Sequence, residues 1–139
     1  MKNKSINLIV YFIFILIATS FNALPQTSNG KQCNAYEPTT VNLTGKLKRK
    51  AVINASEQKE NIWVLKLNNE ICVTADANNE INLAFERIAE VQLVFSSDQL
   101  VKYRSLQNQK ISVSGTLFAG HTQHHFTEVL LMVTEVKKL

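Results

Sequence analysis

The chain has 139 residues, of which 45% are apolar and 19% charged, and a formal net charge of +4. That length fits one domain. Lys2 and Lys4 supply two of the positive charges, so the remaining chain carries only +2 (4 − 2), too little to argue for nucleic acid or an anionic membrane surface as partner. The first twenty residues read as a secretory leader: a lysine-bearing start, an apolar run from Ile6 to Ala18 broken by Asn7, then the small residues Ala18-Thr19-Ser20. The alternative is an uncleaved anchor, but the run falls short of the roughly 20 residues that span a bilayer. Cleavage after Ser20 would leave 139 − 20 = 119 residues. The expected location is periplasmic or extracellular, with no stable membrane insertion after cleavage.

Residues 21–40 hold Pro25, Gly30 and Pro38 among Asn, Ser and Thr, and read as an extended arm. From Val41 the pattern changes to period two: Val41, Leu43, Gly45 and Leu47 against Asn42, Thr44, Lys46 and Lys48. A polar turn is expected over residues 54–60, then a strand from Asn61 to Leu67, a turn at Asn68-Asn69, and a third strand from Glu70 to Ala75, the last two forming a hairpin. Residues 76–82 read as a loop. Residues 83–95 are ambiguous between helix and strand periodicity; a short turn followed by a strand from Glu90 to Phe95 is expected. Ser96-Ser97-Asp98 is a helix N-cap signal, with the helix ending near Leu106. A strand follows Lys110, with Ile111, Val113, Gly115 and Leu117 on one face. Ala119-Gly120 makes a corner, and a last strand is expected over Phe126–Val133. Gly45 and Gly115 both interrupt apolar faces, which marks a bulge, bend or close backbone approach.

These elements predict a mainly β fold. The expected architecture is a small five-stranded OB-like Greek-key barrel over residues 41–139, with one short helix before the last two strands. An open α+β sheet is the rival. The two cysteines, Cys33 and Cys72, suggest one disulfide in an oxidising compartment, worth about 3–4 kcal/mol by chain entropy.

All three histidines, His121, His124 and His125, sit in the connection between the last two strands. The runs Gly115-Thr116-Leu117-Phe118, His121-Thr122-Gln123-His124-His125-Phe126-Thr127 and Val129-Leu130-Leu131 resemble a bacterial secreted domain-of-unknown-function family marked by an HTGHHHT motif between two strands. Glu90-Val91-Gln92-Leu93 resembles its upstream pattern. Gln123 stands where that family tends to have glycine, and Phe126 where it tends to have a further histidine. The resemblance implies no mechanism.

Three readings of the histidine segment stay open. One is a transition-metal site, with zinc or copper on His121, His124 and His125 and Glu128 completing the shell. In an extended segment His124 points away from the other two, so convergence requires the turn to curl. A second reading is structural: the side chains hydrogen-bond the turn's backbone. A third is a protein-interaction element, inhibitor- or immunity-like, directed at an envelope or extracellular partner. Catalysis is not expected, since no nucleophile elbow, phosphate loop or paired carboxylates are present. Lys46, Lys48 and Lys50 project from the polar face of the first strand, with Arg49 between them. They are candidates for binding an anionic partner, weighed against a solvated edge that discourages strand pairing. Trp63 and Tyr103 read as core.

Overall fold

The computed structural model describes residues 32–139. The expected leader, residues 1–20, and the first part of the expected arm lie outside the described residues. Five strands run in the order β1 (Thr40–Ile53), β2 (Lys59–Val73), β3 (Phe85–Val94), β4 (Lys110–Ala119) and β5 (Val129–Lys138). Between β3 and β4 sit α1 (Ser97–Tyr103) and a single 3-10 turn, Arg104–Leu106. The fold is mainly β, as the alternation predicts. Hydrogen-bonded neighbours follow the order β1-β2-β3-β5-β4, and β4 returns to β1, so the sheet closes on itself. All pairings are antiparallel except β3 with β5.

The periodicity of β1 and β4 sets the inside of this closed sheet. Val41, Leu43 and Leu47 from β1 meet Ile111, Val113 and Leu117 from β4, with Leu65, Val91, Leu93, Val129 and Leu131 from the other strands. Gly45 and Gly115 stand in the same inward rows because the backbone approaches closely there. A Cβ on Gly115 would collide with the carbonyl oxygen of Met132, and one on Gly45 with that of Lys66. The register also shifts at Ser114/Gly115, as a bulge does.

Three expectations are corrected. Asn68-Asn69 is not a hairpin turn: Lys59–Val73 is one continuous strand. Its pairing with β3 slips between Lys66 and Ile71, so the two asparagines are absorbed in an irregular stretch. The ambiguous segment is strand from Phe85 onward, held by Val73↔Phe85 and Ile71↔Ile88. The last strand begins at Val129, not Phe126, and extends to Lys138 opposite Ile111.

The helix forms where its cap predicts. The Ser96 hydroxyl accepts from the Gln99 N–H, and the Gln99 side chain accepts from the Ser96 N–H, a reciprocal capping box. Tyr103 is buried against the core as expected. Cys33 and Cys72 are joined by a disulfide. The segment before β1 is more firmly held than an extended arm: Asn34 bridges Val73, and Tyr36 is in the core, its hydroxyl donating to the Leu83 carbonyl at 2.7 Å. No helix among the described residues is long and apolar enough to cross a membrane.

Candidate functional site

The connection between β4 and β5, residues 120–128, is folded back and densely bonded. At its base the Gly120 N–H donates to the Glu128 carbonyl at 3.0 Å. A Cβ at Gly120 would sit 2.6 Å from the Thr127 oxygen, so the corner requires glycine. At its tip the His125 N–H donates to the Thr122 carbonyl at 3.0 Å, and the His124 N–H donates to the Thr122 hydroxyl at 3.3 Å. The threonine side chain thus sets the turn, as hydroxyl residues do.

A row of outward positions lies beneath it. Val64, Gln92, Leu130 and Phe118 are register neighbours across β2, β3, β5 and β4. Val64, Gln92 and Leu130 are buried although they stand outside the main core cluster. Near Gly120 the turn comes against Leu130, and the His125 ring packs edge-on to Phe118 with centroids 5.6 Å apart. Gln92 is the clasp. Its amide donates to the His124 carbonyl at 3.0 Å and accepts from the Phe126 N–H at 2.8 Å. Its own backbone N–H donates to the Thr127 hydroxyl at 3.1 Å, and that hydroxyl donates to the Val129 carbonyl at 2.7 Å.

The three imidazoles are held differently, and their partners fix their tautomers. His121 Nδ1 lies 2.9 Å from the Ala119 carbonyl oxygen, an acceptor only, so Nδ1 carries hydrogen and Nε2 keeps its lone pair. His124 Nδ1 lies 3.0 and 3.1 Å from the two Glu60 oxygens, with the same consequence. His125 is the reverse: its Nδ1 accepts from the His121 N–H at 3.0 Å, so the neutral ring carries hydrogen on Nε2. Burial, reinforced by the positive charge His121 and His124 can carry, pushes the His125 imidazole below its ordinary value and favours that neutral form.

Glu60 is placed by the β1–β2 connection. Asn54 is buried there, its side-chain oxygen accepting from the Ser56 and Gln58 N–H groups, both at 2.9 Å. Its amide donates to Glu60 at 2.5 Å. Those hydrogen bonds, first from Asn54 and then from His124, hold the Glu60 carboxyl below the usual carboxylate range. In the sequence, residues 54–60 signal only a polar turn. Nothing local signals that Glu60 faces an imidazole 64 positions away, since the β2–β3–β5 pairing makes that contact.

The structure does not gather His121, His124, His125 and Glu128 into one shell. Among the described residues, no group of three or more His, Cys, Asp or Glu is spaced to hold a metal ion. One reason is that the His125 Nδ1 lone pair is consumed within the turn. The Glu128 charge acts on Tyr36, whose hydroxyl is pushed up by burial and then by that carboxylate. Of the lysines, Lys50 pairs with Glu90 at 2.5 Å and Lys48 donates to Asn108 at 2.9 Å. Lys46 is exposed between Lys66 and Lys110.

A family model described as a domain of unknown function (DUF4431) matches residues 90–137. No curated protein matches the chain. The matched stretch spans the second half of β3, the helix, β4, the histidine turn and nearly all of β5. Over that stretch, Gln92 and the turn it clasps included, the chain is similar to a family of unknown function.

Proposed function

We propose that the protein is an exported, non-enzymatic binding module whose working surface is the turn of residues 120–128. The observation that carries this reading is the matched pair of ring orientations. His121 and His124 are exposed and each anchors Nδ1 on an oxygen, Ala119 and Glu60 respectively, which leaves the lone pair on Nε2; that of His124 accepts a long 3.5 Å contact from the Gln123 amide, which a metal would displace. Metal-binding imidazoles are oriented in this way, by a carbonyl or carboxylate on the far nitrogen. His121 and His124 are therefore the residues that would take zinc or copper, and His125 is a structural member of the turn. Water or groups from a bound partner would complete the coordination. These two nitrogens offer lone pairs for binding and are not arranged as a nucleophile with its base.

The closed sheet is read as an OB-like Greek-key barrel. The order β1-β2-β3-β5-β4, the parallel β3–β5 pairing and the helix between β3 and β4 support that assignment. The leader pattern and the Cys33–Cys72 bridge support export to an oxidising compartment. The HTQHHFT segment is read as this chain's form of the HTGHHHT motif of a bacterial secreted family.

Calorimetric titration of tag-free protein with Zn²⁺ and Cu²⁺ tests the site. Stoichiometric binding is expected, abolished in His121→Ala/His124→Ala, retained in His125→Ala, and weakened about 10- to 100-fold by Glu60→Gln. Absence of binding at micromolar metal overturns it. The second reading would then stand: an inhibitor- or immunity-type module whose turn inserts into a protein partner. The use of the His125 Nδ1 lone pair inside the turn, where it accepts from the His121 N–H, favours that alternative. Pull-down from envelope extracts with wild-type protein and the double variant would test it.

A further inference from the structure

A second surface, at the helix end of the closed sheet, carries chemistry unrelated to the histidine turn. Arg49 has the same parity along β1 as Val41, Leu43 and Leu47, which face the core, whereas Lys46, Lys48 and Lys50 have the opposite parity. It therefore emerges at the inner rim of the sheet. Its register partner is Trp63, and its guanidinium carbon lies 5.9 Å from the Trp63 ring centroid. Trp63 is half-buried: one part packs on the core and the rest lines a groove with Arg49, Leu100, Val101, Arg104, Ser105 and Gln107. The cavity holds about 430 Å³, within the roughly 300–1,000 Å³ typical of small-molecule sites. Leu100 and Val101 are 37% and 67% exposed, so both present aliphatic surface to this groove.

Both charged residues of the groove are arginines. No carboxylate lines it, and among the described residues neither guanidinium has an acidic partner within ion-pair distance. A guanidinium fork matches carboxylate and phosphate oxygens, while the indole face and the two aliphatic side chains suit an apolar body. We infer that this groove binds an anionic amphiphile, with its acidic headgroup on Arg49 and Arg104 and its apolar body against Trp63, Leu100 and Val101. The headgroup chemistry, carboxylate or phosphate, is an arm of the test.

Trp63 is the sole tryptophan of the chain, so its emission reports occupancy of this groove. Wild-type protein is titrated with octanoate, octyl phosphate and octyltrimethylammonium, all below their micelle concentrations. A saturable change in Trp63 emission is expected with at least one anion and none with the cation; the stronger anion identifies the headgroup. Arg104→Gln, which removes an exposed side chain, and Arg49→Gln are each expected to weaken binding about tenfold or more. Lys138→Gln, which does not line the groove, and His121→Ala/His124→Ala are expected to bind as wild type. Thermal melts confirm that each variant is folded. The proposal is overturned if neither anion gives a saturable change, if the cation binds equally, or if Arg104→Gln binds as tightly as wild type.

Discussion

Replacing Gln92 by leucine tests whether one side chain holds the histidine turn in place. Gln92 is 8% exposed and makes two side-chain hydrogen bonds to the turn, to the His124 carbonyl at 3.0 Å and from the Phe126 N–H at 2.8 Å. Leucine is similar in size but can make neither. Each lost bond costs about 1 kcal/mol net, and each main-chain group left buried without a partner costs roughly 1–3 kcal/mol. Detachment of the turn would let water satisfy both groups and so caps the loss, and leucine's own burial beside Val64 and Leu130 offsets part of it. The expected destabilisation is about 2–3 kcal/mol, on the order of 10 °C in Tm for a domain of this size. Hydrogen exchange measured by NMR should show the Phe126 and His125 amides losing protection selectively, with the core strands unaffected at low denaturant. Gln92→Glu sharpens the test. At neutral pH its carboxylate faces the His124 carbonyl and should be worse than leucine; protonation restores a donor, so its deficit should shrink on acidification. If Gln92→Leu melts with wild-type protein and the Phe126 amide exchanges at the wild-type rate, the clasp argument is wrong.

Three further outcomes are expected. Gly115→Ala places a methyl group against the Met132 carbonyl, a backbone atom that cannot swing aside, and should cost more than about 2 kcal/mol in urea denaturation or prevent soluble expression. Cys33→Ser/Cys72→Ser should lose about 3–4 kcal/mol, read as a lower urea midpoint that reductant reproduces in the wild-type protein. Stability should also fall on acidification in two stages. The His125 imidazole is held below its ordinary 6.5, so the unfolded chain takes the proton first and stability declines as pH drops through that region. The Glu60 carboxyl is held below 4.5, so its contribution is present above that value and lost as pH falls further. Denaturation midpoints measured across pH should show both stages, and Glu60→Gln should flatten only the lower one.

Where a local signal and the tertiary arrangement agree, the fold is legible. The alternation from Val41 to Leu47 and from Ile111 to Leu117 gives β1 and β4 with the right faces inward, and the Ser96 cap gives the helix. Gly45 and Gly115 mark close backbone approaches, as a glycine in an apolar strand face implies. Local signals mislead where long-range pairing overrides them. Asn68-Asn69 has turn chemistry, yet β2 continues through it because β1 and β3 pair with the residues before it and β3 with those after it. Phe126 and Thr127 fit strand periodicity, yet their polar backbone and side-chain groups are taken by Gln92, so β5 starts later.

The site divides in the same way. Residue order alone concentrates all three imidazoles in one connection and pairs the only two cysteines. Which nitrogen of each ring carries the hydrogen was decided in three dimensions, by an Ala119 carbonyl, a Glu60 carboxylate and a His121 N–H. So was the Arg49–Trp63–Arg104 groove, which joins a strand rim to a helix end. Periodicity reports only which way a side chain faces along its own element. The identity of the atom it meets depends on strand order and register, and those are set by closure of the whole sheet.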